Sequence, residues 1–472
     1  MPNKPTPILS EMRENKKSEA IATIQKGVIP INVSKGKLYN EAKLTPIFEI
    51  MAPKSVLVVG GGAIGSFICE MCVRNGVGYT AVVDKDYYEP DNIPKSSFVI
   101  RYPEDINKSK AHALADNLTI RCKEGCSIKG YNFDLKKIGP LALSEFDYVI
   151  LALDNLAMKI FAQKLVKLCP EQRPIVLSCG TTGEFSEAMM FAPNGACVRC
   201  TIPDEWLLAE NPETVHSCAA KINYLLPQKT LPVVSTSGIA SMKSAIDIDE
   251  MLTSHATGMN ILTKSQRYVQ APYPQKNGHS TFIASLSNCP VCSLTPPLDV
   301  TVLKGSTYHT TLRDLLTKIS NYYTKPFKLK VHILEIPGVP EQVYDQFVIK
   351  EKCRICGEDF ELNKHSGELR QNQIVCSKCA ELSDVHYRNF DNQEAIETRY
   401  FSLEETPNNI LDMRLFDLGY PIGCYYETEE VSVSSITEEI NLTSFDDDQL
   451  FDEVDNNKFF CLNNDRCFLM DK

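Results

Sequence analysis

The 472-residue sequence predicts an α/β fold built on a doubly wound, Rossmann-like parallel sheet, with a smaller C-terminal region beside it. Three observations carry this. Short β-branched apolar runs alternate with helical stretches between Ser55 and Gly180, a glycine cluster follows the first run directly, and an aspartate closes the second. Buried strands that alternate with helices form parallel sheets covered on both faces.

The elements follow in order. Ser55–Gly60 (SVLVVG) has strand length, and Ala63–Asn75 has helical periodicity. Thr80–Asp84 is the next strand, Lys110–Asn117 a helix, and Phe146–Asp154 and Pro174–Gly180 are later strands. A polar stretch, Pro203–Pro232, precedes a small-residue helix over Ser235–Leu252. The alternation of Phe327–Ile336 (FKLKVHILEI) predicts a strand of roughly ten residues. The start is polar and Lys-rich, with a helical pattern over Leu9–Lys26 and no assignable chemistry. These patterns divide the chain into an extension (1–50), a main α/β domain (51–300), a C-terminal region (301–424) and an acidic tail (425–472).

Composition narrows the function classes. With 43% hydrophobic and 23% charged residues, the chain is neither wholly disordered nor collagen-like. From Glu427 to Lys472 there are 13 acidic residues against three Lys/Arg, a net of 3 − 13 = −10 out of −11 for the whole. The nearly neutral body gives no electrostatic reason to expect nucleic acid or an anionic membrane, and the tail reads as a solvated end or a docking segment for a basic partner. No apolar run of about 18 residues and no signal-peptide core are present, which predicts a soluble, cytoplasmic protein.

Of the eighteen cysteines, four CxxC pairs stand out: Cys197/Cys200, Cys289/Cys292, Cys353/Cys356 and Cys376/Cys379; a fifth, Cys69/Cys72, falls inside the helical stretch Ala63–Asn75. Without a secretory signal, such pairs read as metal knuckles. Four thiolates hold Zn2+ in a closed tetrahedron with no open position, so both expected sites are structural. The first set would clip the domain across the 289 − 200 − 1 = 88 residues between its pairs; the second, with 376 − 356 − 1 = 19 between pairs, has zinc-ribbon spacing and suits a scaffold or docking role.

Gly60-Gly61-Gly62-Ala63-Ile64-Gly65 fits GxGxxG between a strand and a helix, where glycine lets backbone N–H groups approach a phosphate. Asp84 stands 84 − 65 = 19 residues on, placed for ribose hydroxyls. The loop alone suits NAD, FAD, S-adenosylmethionine or ATP. An ATP site also needs cations against the triphosphate and a carboxylate for Mg2+. Lys110 opens a helix, and Asp154 ends a strand at the carboxyl edge of the sheet, where such folds bind ligands. Taken singly, Asp154 reads equally as a helix cap and Lys110 as a surface lysine.

GxGxxG, then Asp84 and Asp86 with Asn92 eight residues after the first, then Lys110 before a helix and Asp154-Asn155 at a strand end, together resemble the ThiF/MoeB family and ubiquitin-type activating enzymes. The resemblance covers roughly Pro53–Pro297, and the first two CxxC pairs fall where that family has its structural zinc. It implies a ThiF-type fold that uses ATP to activate the C-terminal carboxylate of a ubiquitin-like or sulfur-carrier protein, and a homodimer. It also implies that Gly60, Gly62 and Gly65 cradle the nucleotide, Asp84 binds the ribose, Asp86 belongs to the same nucleotide site, Asn92 and Lys110 contact phosphates with Lys95 on the phosphate side, and Asp154 holds Mg2+. Lys95 and Lys159 stand where the family has arginine, which keeps charge and loses bidentate geometry. The family's N-terminal arginine has no clear match; Arg13 is the nearest.

A cysteine that takes the acyl group from the adenylate must be exposed and electropositive. Cys218, near His216 and Lys221, is the expected nucleophile for a thioester passed to a downstream conjugating enzyme; Cys179 is the second candidate, while Cys69 and Cys72 belong to the core. The alternatives are adenylation of a sulfur carrier without a thioester, an NAD-dependent oxidoreductase, and a non-catalytic binding module.

Overall fold

The computed structural model describes residues 46–90, 92–170, 173–182, 185–202, 234–270, 278–331, 346–353, 359–365, 390–397, 400–430, 458–466 and 468–470. A short helix α1 (Pro46–Met51) leads into β1 (Ser55–Val59), α2 (Ala63–Asn75) and β2 (Tyr79–Val83). Then come α3 (Lys110–Thr119), β3 (Ser127–Tyr131), α4 (Pro140–Leu143), β4 (Tyr148–Leu151), α5 (Leu156–Lys167) and β5 (Ile175–Thr182). Strand β6 (Phe185–Phe191), the long helix α6 (Val234–Ala256), β7 (Gln266–Gln270) and β8 (Gly278–Phe282) complete the first unit.

These strands form one sheet in the order β3-β2-β1-β4-β5-β6-β7-β8. The neighbours from β3 to β5 are parallel, as expected. The sheet is nevertheless mixed, because β6, β7 and β8 extend it antiparallel. An antiparallel neighbour needs no helical crossover, as β5 and β6 show; β6 and β7 have α6 between them and pair antiparallel all the same, so the order of elements does not reveal the direction of this extension.

Strand β1 is central and wholly buried, and its period of two divides its side chains between two cores. Val56 and Val58 meet Phe67, Ile68 and Val73 of α2, Leu114 and Leu118 of α3, and Ile248 and Leu252 of α6. Leu57 and Val59 face Leu143 of α4 and Ile160, Phe161 and Leu165 of α5. Fully burying each such side chain contributes about 1.5–3 kcal/mol. Helix α2 stops at Gly76, whose φ of +73° only glycine takes cheaply and whose N–H meets the carbonyls of Cys72 and Val73.

A second sheet is built from β9 (Thr301–Leu303), β10 (Phe327–Val331), β14 (Tyr400–Phe401), β15 (Tyr426–Glu430) and β16 (Lys458–Leu462), in the order β14-β10-β15-β16-β9. Helix α7 (Leu312–Ser320) covers it through Leu312, Leu315, Leu316 and Ile319, beside Leu329, Phe401, Tyr426 and Phe460. A short helix α8 (Asn408–Leu411) adds Ile410 and Leu411 to this core. The acidic segment, read from its charge as a solvated end, thus contributes two strands, Tyr426–Glu430 and Lys458–Leu462, while its central aspartates lie outside the described residues. The buried Asp465 accepts the N–H and hydroxyl of Thr307 and the N–H of Gly423, tying the chain end into the second unit.

The two units are joined at specific points. Ile138 bridges Ile422, and Gly139 and Leu141 donate their N–H groups to the carbonyls of Ile422 and Gly423. Leu469, fully buried in the core beneath β2 and β3, accepts the hydroxyls of Tyr79 and Tyr131 at its carbonyl. A third sheet, β12-β11-β13, is antiparallel and comprises β11 (Gln346–Cys353), β12 (Asp359–His365) and β13 (Phe390–Glu397). Cys353 ends β11; Cys356, Cys376 and Cys379 lie outside the described residues, as do Arg13, the Leu9–Lys26 pattern, Pro203–Pro232 and Cys218. Of the predicted strand Phe327–Ile336, Phe327–Val331 is β10, with Phe327 and Leu329 buried, and the rest is outside the described residues. Among the described residues no helix is long and apolar enough to cross a membrane.

Candidate active site

The glycine loop turns at the carboxyl end of β1. Gly60 has φ +98°, and its N–H donates to Val83 at 2.8 Å, continuing the pairing with β2. A Cβ at Gly60 would stand 2.6 Å from the carbonyl oxygen of Ala152, and one at Gly65 would stand 1.8 Å from that of Gly60. Both positions therefore require glycine: the first lets β4 close against the turn, and the second lets α2 start directly above it. Gly62 is different, since a Cβ there would meet nothing within 4 Å. It caps α2 with open space beside it, at the positive end of a thirteen-residue helix.

Asp84 follows the last residue of β2 and grips the loop. Its carboxylate accepts the N–H of Gly61 at 2.7 Å and that of Asp86 at 2.8 Å. Burial raises its pKa above the ordinary carboxylate value, opposed by the N–H donors and the nearby charge of Lys110. Lys110, the first residue of α3, is mostly covered: its Cβ lies 3.6 Å from where a Gly61 Cβ would be, and its ammonium is 3.8 Å from Asp86. Its backbone N–H donates to the carbonyl of Asp86 at 2.8 Å. The lysine is thus not a free surface residue. It belongs to a cluster of Gly61, Asp84, Asp86 and Lys110 on the β2 side of the loop.

Asp154 occupies the β4 side. Ala152 continues β4 by donating to Val59 at 2.9 Å, and Asp154, two residues on, is exposed at the same carboxyl edge. The cap of α5 is Asn155, which accepts the N–H of Met158 at 3.2 Å. Capping of the first turn therefore does not account for Asp154. Lys159 is buried, and its ammonium donates to the carbonyl of Cys179 at 2.6 Å.

Asn92 opens the turn Ile93–Lys95, with its side-chain oxygen accepting the N–H of Glu89 at 3.2 Å. Ser97 just beyond donates its N–H to Ser66 of α2 at 2.9 Å, which anchors this segment beside the first turn above the loop. Lys95 lies against α6 near Gly238, whose Cβ would be 4.0 Å from the Lys95 Cα. Of the thiols, Cys179 is fully buried with its sulfur 3.5 Å from the Leu151 carbonyl, so it cannot meet a protein substrate. Cys69 and Cys72 are core residues, as expected, and burial pushes both thiols up.

Sequence reasoning missed Tyr88. It is fully buried, and its hydroxyl donates to the Gly61 carbonyl at 2.8 Å. Only its place between the two charged segments hinted at a role. A separate cavity of about 430 Å3 lies at the opposite, amino edge of the sheet, lined by Lys54, Ser55, Tyr79, Asp147 and Arg466. Its ion pair, Lys54 with Asp147 at 2.8 Å, is internally satisfied, and the cavity is remote from the loop.

The first four cysteines do converge. Cys197 lies 3.9 Å from Cys200 and 3.5 Å from Cys289, Cys200 lies 3.6 Å from Cys292, and all four sulfurs are within 4.8 Å of one another. Four sulfurs around one Zn2+ at about 2.3 Å stand about 3.8 Å apart, so the cluster has the dimensions of such a centre. Burial pushes the Cys197 thiol up, with its neighbouring thiols adding to the effect, the condition that a bound cation relieves.

Relatives of known name share this part of the chain. A maize adenylyltransferase and sulfurtransferase MOCS3-1 is 29% identical over 35% of this chain and 36% of its own length. A sulfur carrier protein adenylyltransferase of Thermus thermophilus is 26% identical over 52% of this chain and 85% of its own, and ubiquitin-like modifier-activating enzyme 5 of Caenorhabditis briggsae is 26% identical over 33% and 38%. The chain thus spans about a third of the maize protein's length. Residues 49–298, slightly more than half of the 472, match the ThiF family with the loop, the acidic strand ends and both halves of the four-cysteine cluster inside the match, and the chain belongs to that family.

Proposed function

We propose that this protein uses MgATP to adenylate the C-terminal carboxylate of a ubiquitin-like or sulfur-carrier protein. One observation carries the reading: the glycine loop is flanked at a single sheet edge by the Asp84–Lys110 cluster and by Asp154. A dinucleotide site needs only the first acid. A triphosphate needs the cation and the second carboxylate as well.

In this account the carrier carboxylate attacks the α-phosphate, the bond to the β-phosphate breaks, and pyrophosphate leaves. Asp84 holds the ribose and the loop together. The loop N–H groups and the Lys110 ammonium stabilise the charge that grows on the phosphate oxygens, and Asn92 and Lys95 hold the outer phosphates. Asp154, a hard oxygen donor, would hold Mg2+, which supplies charge neutralisation. The four clustered cysteines would hold one structural Zn2+, and Cys353, Cys356, Cys376 and Cys379 a second.

Beyond adenylation, Cys218 would take the acyl group as a thioester, with the AMP oxygen as leaving group, for transfer to a conjugating enzyme. The Thermus relative, named for sulfur-carrier adenylation and matched over most of its length, supports a second reading in which no thioester forms. Exchange of labelled pyrophosphate into ATP, driven by small carrier proteins of either kind, tests the main reading. Exchange that depends on an intact carrier C-terminus supports it. Its absence with every carrier, despite tight ATP binding, would leave a binding module. A reducible carrier adduct lost in Cys218→Ala would separate the thioester route from the sulfur-carrier route.

A further inference from the structure

We infer that Tyr88 is a positioning residue of the phosphate loop: its buried hydroxyl sets the orientation of the Gly61–Gly62 peptide so that the Gly62 N–H faces the nucleotide phosphates. The inference rests on the proposed nucleotide reading.

Gly61 is held at both ends. Its N–H goes to Asp84 at 2.7 Å and its carbonyl receives the Tyr88 hydroxyl at 2.8 Å. In a planar trans peptide the C=O and the following N–H point in opposite directions. With the Gly61 carbonyl drawn inward to a fully buried ring, the Gly62 N–H is turned outward. The space beside Gly62 is open, since a Cβ there would meet nothing within 4 Å. Without a side chain, either glycine would flip this peptide at little steric cost. Tyr88 is the restraint. It is itself fixed by backbone pairing: its N–H donates to the carbonyl of Lys108 at 2.9 Å, and its carbonyl receives the N–H of Asn107 at 2.8 Å. The segment that positions Lys110 therefore also positions the loop, so the lysine and the outward N–H are set by one rigid connection. A phenol is a donor at physiological pH in any case, and burial raises the pKa of Tyr88 further.

The test is titration of the full-length protein and its Tyr88→Phe variant with MgATP and with adenosine. Phenylalanine keeps the ring and removes only the donor. Losing one hydrogen bond that orients a charged contact is expected to weaken MgATP roughly tenfold, while adenosine affinity stays within about twofold. Equal loss for both ligands would indicate general damage and overturn the inference, as would no loss for either. Failure of the parent protein to bind MgATP would overturn the nucleotide reading along with it. Should the variant not fold, site-resolved amide exchange in the parent decides. MgATP but not adenosine is expected to slow the Gly62 amide, and equal protection by both, or none, would contradict the outward orientation.

Discussion

The carboxylate of Asp84 accepts the Gly61 N–H at 2.7 Å, so the acid at the end of β2 and the turn at the end of β1 form one unit. An Asp84→Ala variant should lose the restraint on the loop and, in the proposed function, the ribose contact as well. Its MgATP affinity is expected to fall by at least about tenfold, the loss of one charge-assisted hydrogen bond. Calorimetric titration checks this, and unchanged affinity would separate the acid from the site.

The two glycines flanking the start of α2 should behave oppositely. Gly65→Ala forces a methyl to 1.8 Å from the Gly60 carbonyl and is expected to destabilise the domain by about 3 kcal/mol or more, as overpacking against backbone does. Gly62→Ala places its methyl in open space. That variant should fold normally and bind MgATP more weakly, with thermal melts and nucleotide titration as paired readouts.

Helix α6 carries a pH dependence. Asp247 receives the Ser186 hydroxyl at 3.3 Å, and Asp249 receives the Asn75 amide at 2.6 Å. Burial raises each carboxyl from its ordinary value of 3.8 to about 6. Because the folded values lie above the unfolded ones, this contribution to stability is full below 3.8 and is lost as pH rises through about 6. Asparagine at either position should raise the melting temperature at about pH 8 by a few degrees and narrow the difference between about pH 5 and pH 8. Parallel pH profiles for variant and parent would contradict it.

The cysteine cluster joins segments 92 residues apart in sequence, from Cys197 to Cys289. A cross-link that closes a loop of that length removes chain entropy from the unfolded state and so stabilises the fold by on the order of 4–5 kcal/mol. A Cys197→Ser/Cys289→Ser double variant is therefore expected to lose one equivalent of zinc by elemental analysis and to melt roughly 10 °C lower. Full zinc content in the variant would place the metal elsewhere.

Much of the first unit was legible because its signals are local. The run Ser55–Val59, the glycines after it and the helix Ala63–Asn75 each sit within one window of sequence, and all three formed where the pattern placed them. Strands β7 and β8 were not legible: Gln266–Gln270 and Gly278–Phe282 are half-buried or exposed, so they lack the apolar runs that mark the parallel strands. The fate of the chain end was hidden for a different reason. Leu469 is fixed by Tyr79 and Tyr131, hundreds of residues earlier, and the acidic composition around it points towards solvent. Within the site, the charged residues and glycines were readable by type, whereas Tyr88 acts through a single hydroxyl whose partner only the fold supplies.

The most direct measurement is competitive nucleotide titration of the full-length protein with MgATP, ATP in the presence of a chelator, and NAD. Saturable MgATP binding that weakens when the divalent ion is removed and again in Asp154→Ala, with no competition from NAD, is the predicted result. Tight NAD binding indifferent to Mg2+ and to Asp154 would contradict it.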